Sequence, residues 1–336
     1  METRIYLNPK ENEIEKAAEC VRAGGLCVFP TETVFGLGAN ALDENAAKKI
    51  YEAKGRPSDN PLIVHLSEPV EAELYAYTTE DYYRLAKAFM PGPLTVIMKA
   101  RDVIPKTVTG GLDTVAVRVP SYSVAHELIR KAGVPIAAPS ANISGRPSPT
   151  RVEHVIEDMN GRADIILGGE NCEVGVESTI ITLCAQRPTV LRPGYITLGQ
   201  LKTVCPDTVV SEAVLGKYEG QALSPGMRYK HYAPKAKVII LDGTQEAFYN
   251  AVPKSGDVGI LCFDTDEKLK TLRNAKTYGA AKDSNMQAKM LFECLRSFDK
   301  DDTIKRIYAR MPSDEGVGLA VLNRLIRAAG FNVRKV

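Results

Sequence analysis

Apolar positions recur at helical spacing over residues 12–24, and the run stops at Gly24-Gly25, a pair suited to a left-handed helix end. The next stretch, LCVFP (26–30), predicts a short buried strand that leads into the polar segment TET. Residues 43–54 (DENAAKKIYEAK) predict a helix with Asp43 as its N-cap, although Ala46 stands where a capping box would need Glu or Gln. PLIVHL (61–66) is strand-like and 80–90 helical, while PLTVIMKA (93–100) and TVAVRVP (114–120) alternate as half-buried strands do. A helix over 123–132 precedes the apolar strand and polar loop of VPIAAPSAN (134–142), and ADIILGG, ESTIITL and TVLRPG supply further strands.

Up to about residue 205 strands and helices are mixed without strict alternation, which predicts a twisted mixed sheet with flanking helices rather than a doubly wound parallel one. Residues 209–237 lose apolar periodicity and end in a cluster of Pro, Gly, aromatic and basic residues, the pattern of an interdomain linker. From 238 strand and helix alternate: VIILDG, a helix, DVGILCF, a helix at 283–297, KRIYARM and a helix at 318–329. The expected fold class is therefore α/β, with a larger domain over 1–208, a linker over 209–237 and a smaller α/β domain over 238–336, in keeping with 336 residues at about 150 per domain.

Composition narrows the chemistry. Forty-three basic against 41 acidic residues give a net charge of +2, which argues against a surface built wholly for nucleic acid. No apolar run approaches a membrane span, and the charged N-terminus METRIYLNPKENEIEKAAEC lacks an apolar signal core, so a soluble, cytoplasmic protein is expected. The seven cysteines form no CxxC, the four histidines form no HExxH, and no zinc site or other protein-held metal is expected.

Gly36-Leu37-Gly38-Ala39-Asn40-Ala41 formally matches a dinucleotide fingerprint, but five residues separate it from the preceding strand and no acidic strand end follows at the required spacing. It reads as a tight glycine turn before a helix. Thr31 and Thr33, flanking Glu32 at a strand end, are better placed for a ligand. In KGRPSDNPL (54–62), Lys54 and Arg56 lie two apart, so an extended segment would aim both cations one way, with Ser58 and Asn60 as further donors: a phosphate site or a solvated basic loop. APSANISGRPSPT (138–150) offers Ser140, Asn142 and Arg146 to an anion, or is a turn rich in small polar residues. Arg118 sits among apolar neighbours, where its planar fork would clamp a carboxylate of the protein or of a substrate; Arg192 in LRPG is similar.

PTETVFGLG, KGRPSDNPLIVH, MPGPLT, VAVRVP, APSANISGRPSPT, VESTI and LRPG occur in one order across residues 25–195, and together they resemble the YrdC-like family, the L-threonylcarbamoyladenylate synthases. SPGMRYKHYAPK and the C-terminal GVGLAVLNRLIRAA resemble the family's two-domain form, so the resemblance spans the chain. One departure is Phe35, where the family often carries Tyr. The resemblance implies a YrdC-like mixed sheet, a Rossmann-like second domain, and a nucleotidyltransferase that joins L-threonine, bicarbonate and ATP, with Mg²⁺ on the ATP, into threonylcarbamoyl-AMP and pyrophosphate. The product would pass to the tRNA threonylcarbamoyl transferase machinery that modifies an adenosine next to the anticodon, and a weak tRNA contact is among the expectations. Residue by residue, it assigns Lys54, Arg56, Ser140 and Asn142 to the phosphates and developing charge. It assigns Thr33, His65, Arg118, Ala138 and Ser178 to L-threonine. Arg56, Asn60, Thr114, Ser140, Ser148, Arg192, His231 and Tyr232 fall to ATP. The linker residues Arg228 to Tyr232 would fold over the site and exclude water. Two other readings stand beside this one: an RNA-binding module with a basic concavity, and a carbamoyl-adenylate enzyme of the hydrogenase-maturation type.

Overall fold

The computed structural model describes residues 2–216 and 231–336. Among these, one compact unit takes in 2–144, 149–173 and 177–216, and a second takes in 145–148, 174–176 and 231–336. The second unit thus includes two short loops that chain order alone places in the first.

The first unit is built on an 11-stranded mixed sheet. In chain order its strands are β1 (Arg4–Tyr6), β2 (Cys27–Phe29), β3 (Gly36–Asn40), β4 (Ile63–His65), β5 (Leu94–Lys99), β6 (Thr114–Arg118), β7 (Ile136–Ala138), β8 (Ile165–Leu167), β9 (Thr179–Thr182), β10 (Thr189–Arg192) and β11 (Val209–Val210). Their spatial order is β1-β8-β2-β3-β7-β4-β6-β5-β9-β10-β11. The helices are α1 (Glu11–Arg22), α2 (Glu44–Lys54), α3 (Glu80–Phe89), α4 (Lys106–Thr109), α5 (Ser123–Ala132), α6 (Val152–Met159) and α7 (Leu198–Val204). Local chemistry sets their ends. Asp43 Oδ1 accepts from Asn45 N at 2.8 Å and Ala46 N at 3.2 Å to open α2, and Gly55 closes it at φ 60°.

Alternation along the strands sorts side chains onto two faces. One face packs Val28, Leu37, Val64, Val96, Val117 and Ile181 against α2, α3, α6 and α7 in the main core. Phe35, fully buried, belongs to that core and has no call for a hydroxyl. On the opposite face Cys27, Phe29, Ile136, Ala138, Ile165 and Leu167 pack under α1 and α5. The strands beyond, β4, β6, β5, β9 and β10, carry on that face a separate apolar patch of Ile63, Ile97, Ala116, Ile180 and Leu191.

Two expectations change. Gly36–Asn40 is a strand, antiparallel to both β2 and β7, and not a turn before a helix. Its glycines are explained by packing: a Cβ on Gly38 would lie 2.6 Å from both Phe29 Cε1 and Ile136 Cγ2, so the strand crosses a ring with no room for a side chain. The stretch expected as linker is also partly ordered. Val209–Val210 pairs parallel with β10, and a 3₁₀ turn over Glu212–Val214 brings Ala213 onto the apolar patch. Arg228, Tyr229 and Lys230 lie outside the described residues.

The second unit holds a five-stranded parallel sheet. Its elements run β12 (Lys237–Asp242), α8 (Gln245–Ala251), β13 (Val258–Cys262), α9 (Glu267–Lys270), β14 (Ala275–Thr277), α10 (Ser284–Phe298), β15 (Arg306–Arg310), α11 (Gly318–Ala328) and β16 (Val333–Lys335), with spatial order β14-β13-β15-β12-β16. Phe248, Val252 and Leu269 from α8 and α9 fill one side. On α10 and α11, Leu291, Phe292, Leu295, Val321, Leu322 and Leu325 are buried.

Gly38→Ala should therefore lose about 1–3 kcal/mol by overpacking. The urea midpoint measures it, and Phe29→Leu in the same chain should restore part of the loss by vacating the ring.

Candidate functional site

Strand register places a line of polar side chains across the free half of the sheet face. His65 pairs with Arg118 across β4 and β6, Thr95 pairs with Ile180 across β5 and β9, and Ile180 in turn pairs with Arg192 of β10. All are buried, next to the floor of Ile63, Ala116, Ile97, Ile180 and Leu191.

Arg118 is held by protein. Its Nη2 donates to Glu32 Oε1 at 2.7 Å, and Glu32 Oε2 accepts from Ser121 N at 3.3 Å. The side chains of this pair are only 5% and 8% exposed, so each charge is offset where water cannot reach it. Of the two carboxylates the residue pattern allowed, the structure supplies the one from the protein. Arg118 Nη1 makes no hydrogen bond among the described residues, so one arm of the fork is left for a ligand.

His65 is neutral. Burial pushes its imidazole down from 6.5 to about 3, and the Arg118 charge acts in the same direction. Its Nδ1 lies 3.0 Å from the Ile63 carbonyl, which only accepts, so Nδ1 carries the proton and Nε2 is an acceptor. Thr33 is fully buried, its hydroxyl 2.8 Å from that of Thr31, which donates to Val34 O at 2.6 Å. Ala138 is buried one strand away, paired with Ile63. Ser178 Oγ lies 2.8 Å from Thr95 Oγ1 and accepts from Arg192 Nη2 at 3.1 Å, while Arg192 Nε donates to Ser178 O at 3.1 Å.

A second constellation lies at the end of α2. Lys54 is the last helical residue and Gly55 turns the chain left-handed, so Lys54 and Arg56 are not neighbours on an extended segment and their heads diverge. Lys54 is 2% exposed, and its Nζ donates to the carbonyls of Ser140 and Asn142, each at 2.5 Å. Arg56 Nη2 donates to Asn60 O at 3.3 Å and Pro61 O at 3.2 Å. Ser140 Oγ donates to Asn142 Oδ1 at 2.5 Å. Asn60 is 1% exposed, and neither its amide nitrogen nor its amide oxygen has a partner among the described residues. A buried amide left so costs about 1–3 kcal/mol, which a bound polar ligand would recover.

Other expected residues lie apart. Thr114, at the opposite end of β6 and about 13 Å from Arg118, lines a cavity of about 490 Å³ with Tyr77, Lys99 and Asp113. Ser148, His231 and Tyr232 belong to the second unit. Ser148 is fully buried there. Tyr232 is buried with its ring 5.3 Å from that of Phe292 and 5.7 Å from the Arg324 guanidinium, contacts that offset a left-handed φ of 64°.

In a parallel sheet of this kind a ligand would lie at the strands' carboxyl ends, where the connections reverse direction. At that edge the loops after β14 and β15 line a cavity of about 520 Å³ with Lys282, Ser284, Ser313 and Glu315, while Arg310, at the end of β15, is held by its neighbours: Nη1 donates to Gly243 O at 2.6 Å, Nε lies 3.3 Å from Asp266 Oδ2, and the guanidinium sits 5.7 and 5.5 Å from the Phe248 and Phe263 rings. Glu32 as the partner of Arg118, and Thr95 as the partner of Ser178, escaped the sequence reading. The outward phase of the alternation at PLTVIMKA was the signal available for Thr95.

The family described as Telomere recombination matches residues 19–194, and the one described as Threonylcarbamoyl-AMP synthase, C-terminal domain, matches 196–330. The threonylcarbamoyl-AMP synthase of Pyrococcus abyssi is 43% identical, with 99% of both chains covered. That of Bacillus subtilis is 42% identical over 97% of this chain and 96% of its own. The crystal structure of a P. abyssi protein complexed with L-threonine matches with a TM-score of 0.91 at 41% identity, covering 100% of this chain and 99% of that one.

The His65 imidazole has a consequence for stability. The unfolded chain binds this proton near the ordinary value of 6.5 and the folded chain only near 3, so the stability tied to neutral His65 is full above 6.5 and declines as pH falls towards 3. Between pH 6.5 and 4.5 the urea midpoint of the wild type should fall more steeply than that of His65→Gln. Parallel curves would refute the assignment.

Proposed function

The chain belongs to the threonylcarbamoyl-AMP synthase family in its two-domain form, and from that premise we propose which of its side chains carry the reaction. The activity joins L-threonine, bicarbonate and ATP into threonylcarbamoyl-AMP and pyrophosphate, the intermediate used for threonylcarbamoyladenosine in tRNA. The threonine amine and bicarbonate give a carbamate with loss of water; a carbamate oxygen then attacks the α-phosphorus, and the bond to pyrophosphate breaks. Aligning two anions and offsetting their charge matters more here than a strong protein base.

The observation that carries the assignment is the polar row of His65, Arg118, Thr95, Ser178 and Arg192 beside an apolar floor. Arg118, fixed on one side by Glu32, turns its remaining arm to the threonine carboxylate. His65 Nε2 accepts a proton-bearing group of the substrate, and Thr33, Ala138 and Ser178 shape the remaining wall. Lys54 acts through the Ser140–Asn142 loop that it holds and through its charge. Arg56, Ser140 and Asn142 face the phosphates, and the unpartnered Asn60 amide takes a polar edge of the nucleotide. Thr114, Ser148, Arg192, His231 and Tyr232 are further nucleotide contacts.

Magnesium would come as the counter-ion of the triphosphate. Among the described residues no three His, Cys, Asp or Glu side chains gather into a metal site, while hydroxyls and amides are plentiful, which suits an ion held chiefly by phosphate oxygens. When bound it supplies charge neutralisation; Ser140 and Asn60 are the protein oxygens nearest in role. The product then passes to a tRNA threonylcarbamoyl transferase in the cytoplasm, where its tRNA acceptor resides, with a weak tRNA contact of this chain at the hand-over.

Pyrophosphate release from ATP should require both L-threonine and bicarbonate, and should fall at least about a hundredfold in Lys54→Ala/Arg56→Ala. Release independent of threonine would sink the reading. Arg118→Lys, which loses the fork, should raise the KM for threonine about tenfold while leaving that for ATP nearly constant. Steady-state kinetics with each substrate varied decides it. Thr95→Val should raise the threonine KM by about three- to tenfold, with Thr95→Ser restoring it; equal defects in both variants would remove the hydroxyl from the account.

A further inference from the structure

The loop that carries Ser140 and Asn142 changes unit in mid-course. Residues 140–144 belong to the first unit and Gly145–Ser148 to the second. At the near end Lys54 holds it, through Nζ to the carbonyls of Ser140 and Asn142 and through Lys54 O, which accepts from Ser144 N at 2.9 Å. At the far end the holding groups are different. Arg296, in the last turn of α10 and 6% exposed, aims one edge of its guanidinium at a single carbonyl: Nε donates to Pro147 O at 3.1 Å and Nη2 at 2.7 Å. Ala233 N donates to Gly145 O at 2.8 Å. The same helix borders the other captured segment. A Cβ on Gly175 would lie 2.3 Å from Lys289 Cα and 2.5 Å from Ala288 O, so Val174–Val176 runs directly against α10, two residues before Ser178.

An arginine is costly to bury, and spending a two-donor edge on a main-chain oxygen is an expensive way to fix a turn unless the turn's position matters. We propose that Arg296 is a positioning residue for the nucleotide end of the site, fixing the Gly145–Ser148 stretch of the loop that carries Ser140 and Asn142. Chain continuity transmits the constraint: only Ile143 and Ser144 separate Asn142 from Gly145, and Ser148 directly follows the carbonyl that Arg296 grips. The inference rests on the assignment of Ser140, Asn142 and Ser148 to ATP. It adds a role for the second unit through the stretch of that loop which it holds.

The test is Arg296→Ala beside Arg296→Lys, which keeps the charge but loses the two-donor edge, in the full chain. Losing charged hydrogen bonds to the loop should raise the KM for ATP about tenfold in Arg296→Ala, with a smaller rise in Arg296→Lys, and the KM for threonine should stay within about twofold. Phe248→Leu, in the core on the other side of the second sheet, supplies the control: it should lower the melting temperature without moving either KM. An unchanged ATP KM in both folded Arg296 variants, a joint rise in both substrates, or the same kinetic change in Phe248→Leu would overturn the proposal. Should the wild type show no threonine- and bicarbonate-dependent pyrophosphate release, the functional reading fails separately. Calorimetric binding of Mg-ATP to wild type and Arg296→Lys then decides: weaker binding in the variant supports the positioning role, and equal or absent binding in both overturns it.

Discussion

A primary ammonium ion withdrawn from water must be surrounded by oxygens, and Lys54 meets that demand with the main-chain carbonyls of Ser140 and Asn142. The contact fixes two things at once. It neutralises the cost of ending α2 inside the protein, and it forces the loop after β7 to turn its carbonyls towards the helix end, so that the side chains of Ser140 and Asn142 meet one another. Gly55 makes this possible, because its left-handed conformation lets Lys54 finish the helix while Arg56 leaves in another direction to hold the Asn60–Pro61 carbonyls. The arrangement of Ser140 and Asn142 is thus a consequence of how one buried charge is satisfied.

The polar row across the sheet follows from a different rule, the two-residue alternation of strands. The strand phase that buries Val96, Val117 and Ile181 in the main core turns Thr95, Arg118 and Ile180 to the other face. Within that row charge is nearly balanced before any substrate arrives, since Glu32 answers Arg118 and His65 is kept uncharged by burial. A site so arranged recognises by the direction of its donors and acceptors more than by attraction.

Much of this was legible in the sequence, for physical reasons that can be named. Helices α1, α2 and α5 carry their own periodicity and caps, and β4, β5, β6 and β15 their own apolar runs, so local information was enough. β3 was misread because glycines that usually mark turns were there to clear the Phe29 ring, a contact between strands that spacing does not encode. The two-residue spacing of Lys54 and Arg56 misled for a similar reason: it presumes an extended backbone, and the backbone is helical. Family resemblance singled out Thr33, His65 and Ser178, yet Glu32 and Thr95 meet partners 86 and 83 residues away, and such pairings become visible only in three dimensions. The capture of 145–148 by α10 is longer-range still, at 149 residues between Arg296 and Pro147.

Arg310 ties the sheet of the second unit to the turns around it. That sheet runs β14-β13-β15-β12-β16, and at the carboxyl end of β15 the guanidinium lies against Phe248 and Phe263 and is tied to Gly243 and Asp266. A single substitution that removed the cation would leave the buried Asp266 carboxylate uncompensated. A change at Arg310 therefore reaches the fold of the unit through the buried Asp266 carboxylate and not through the loss of one surface group.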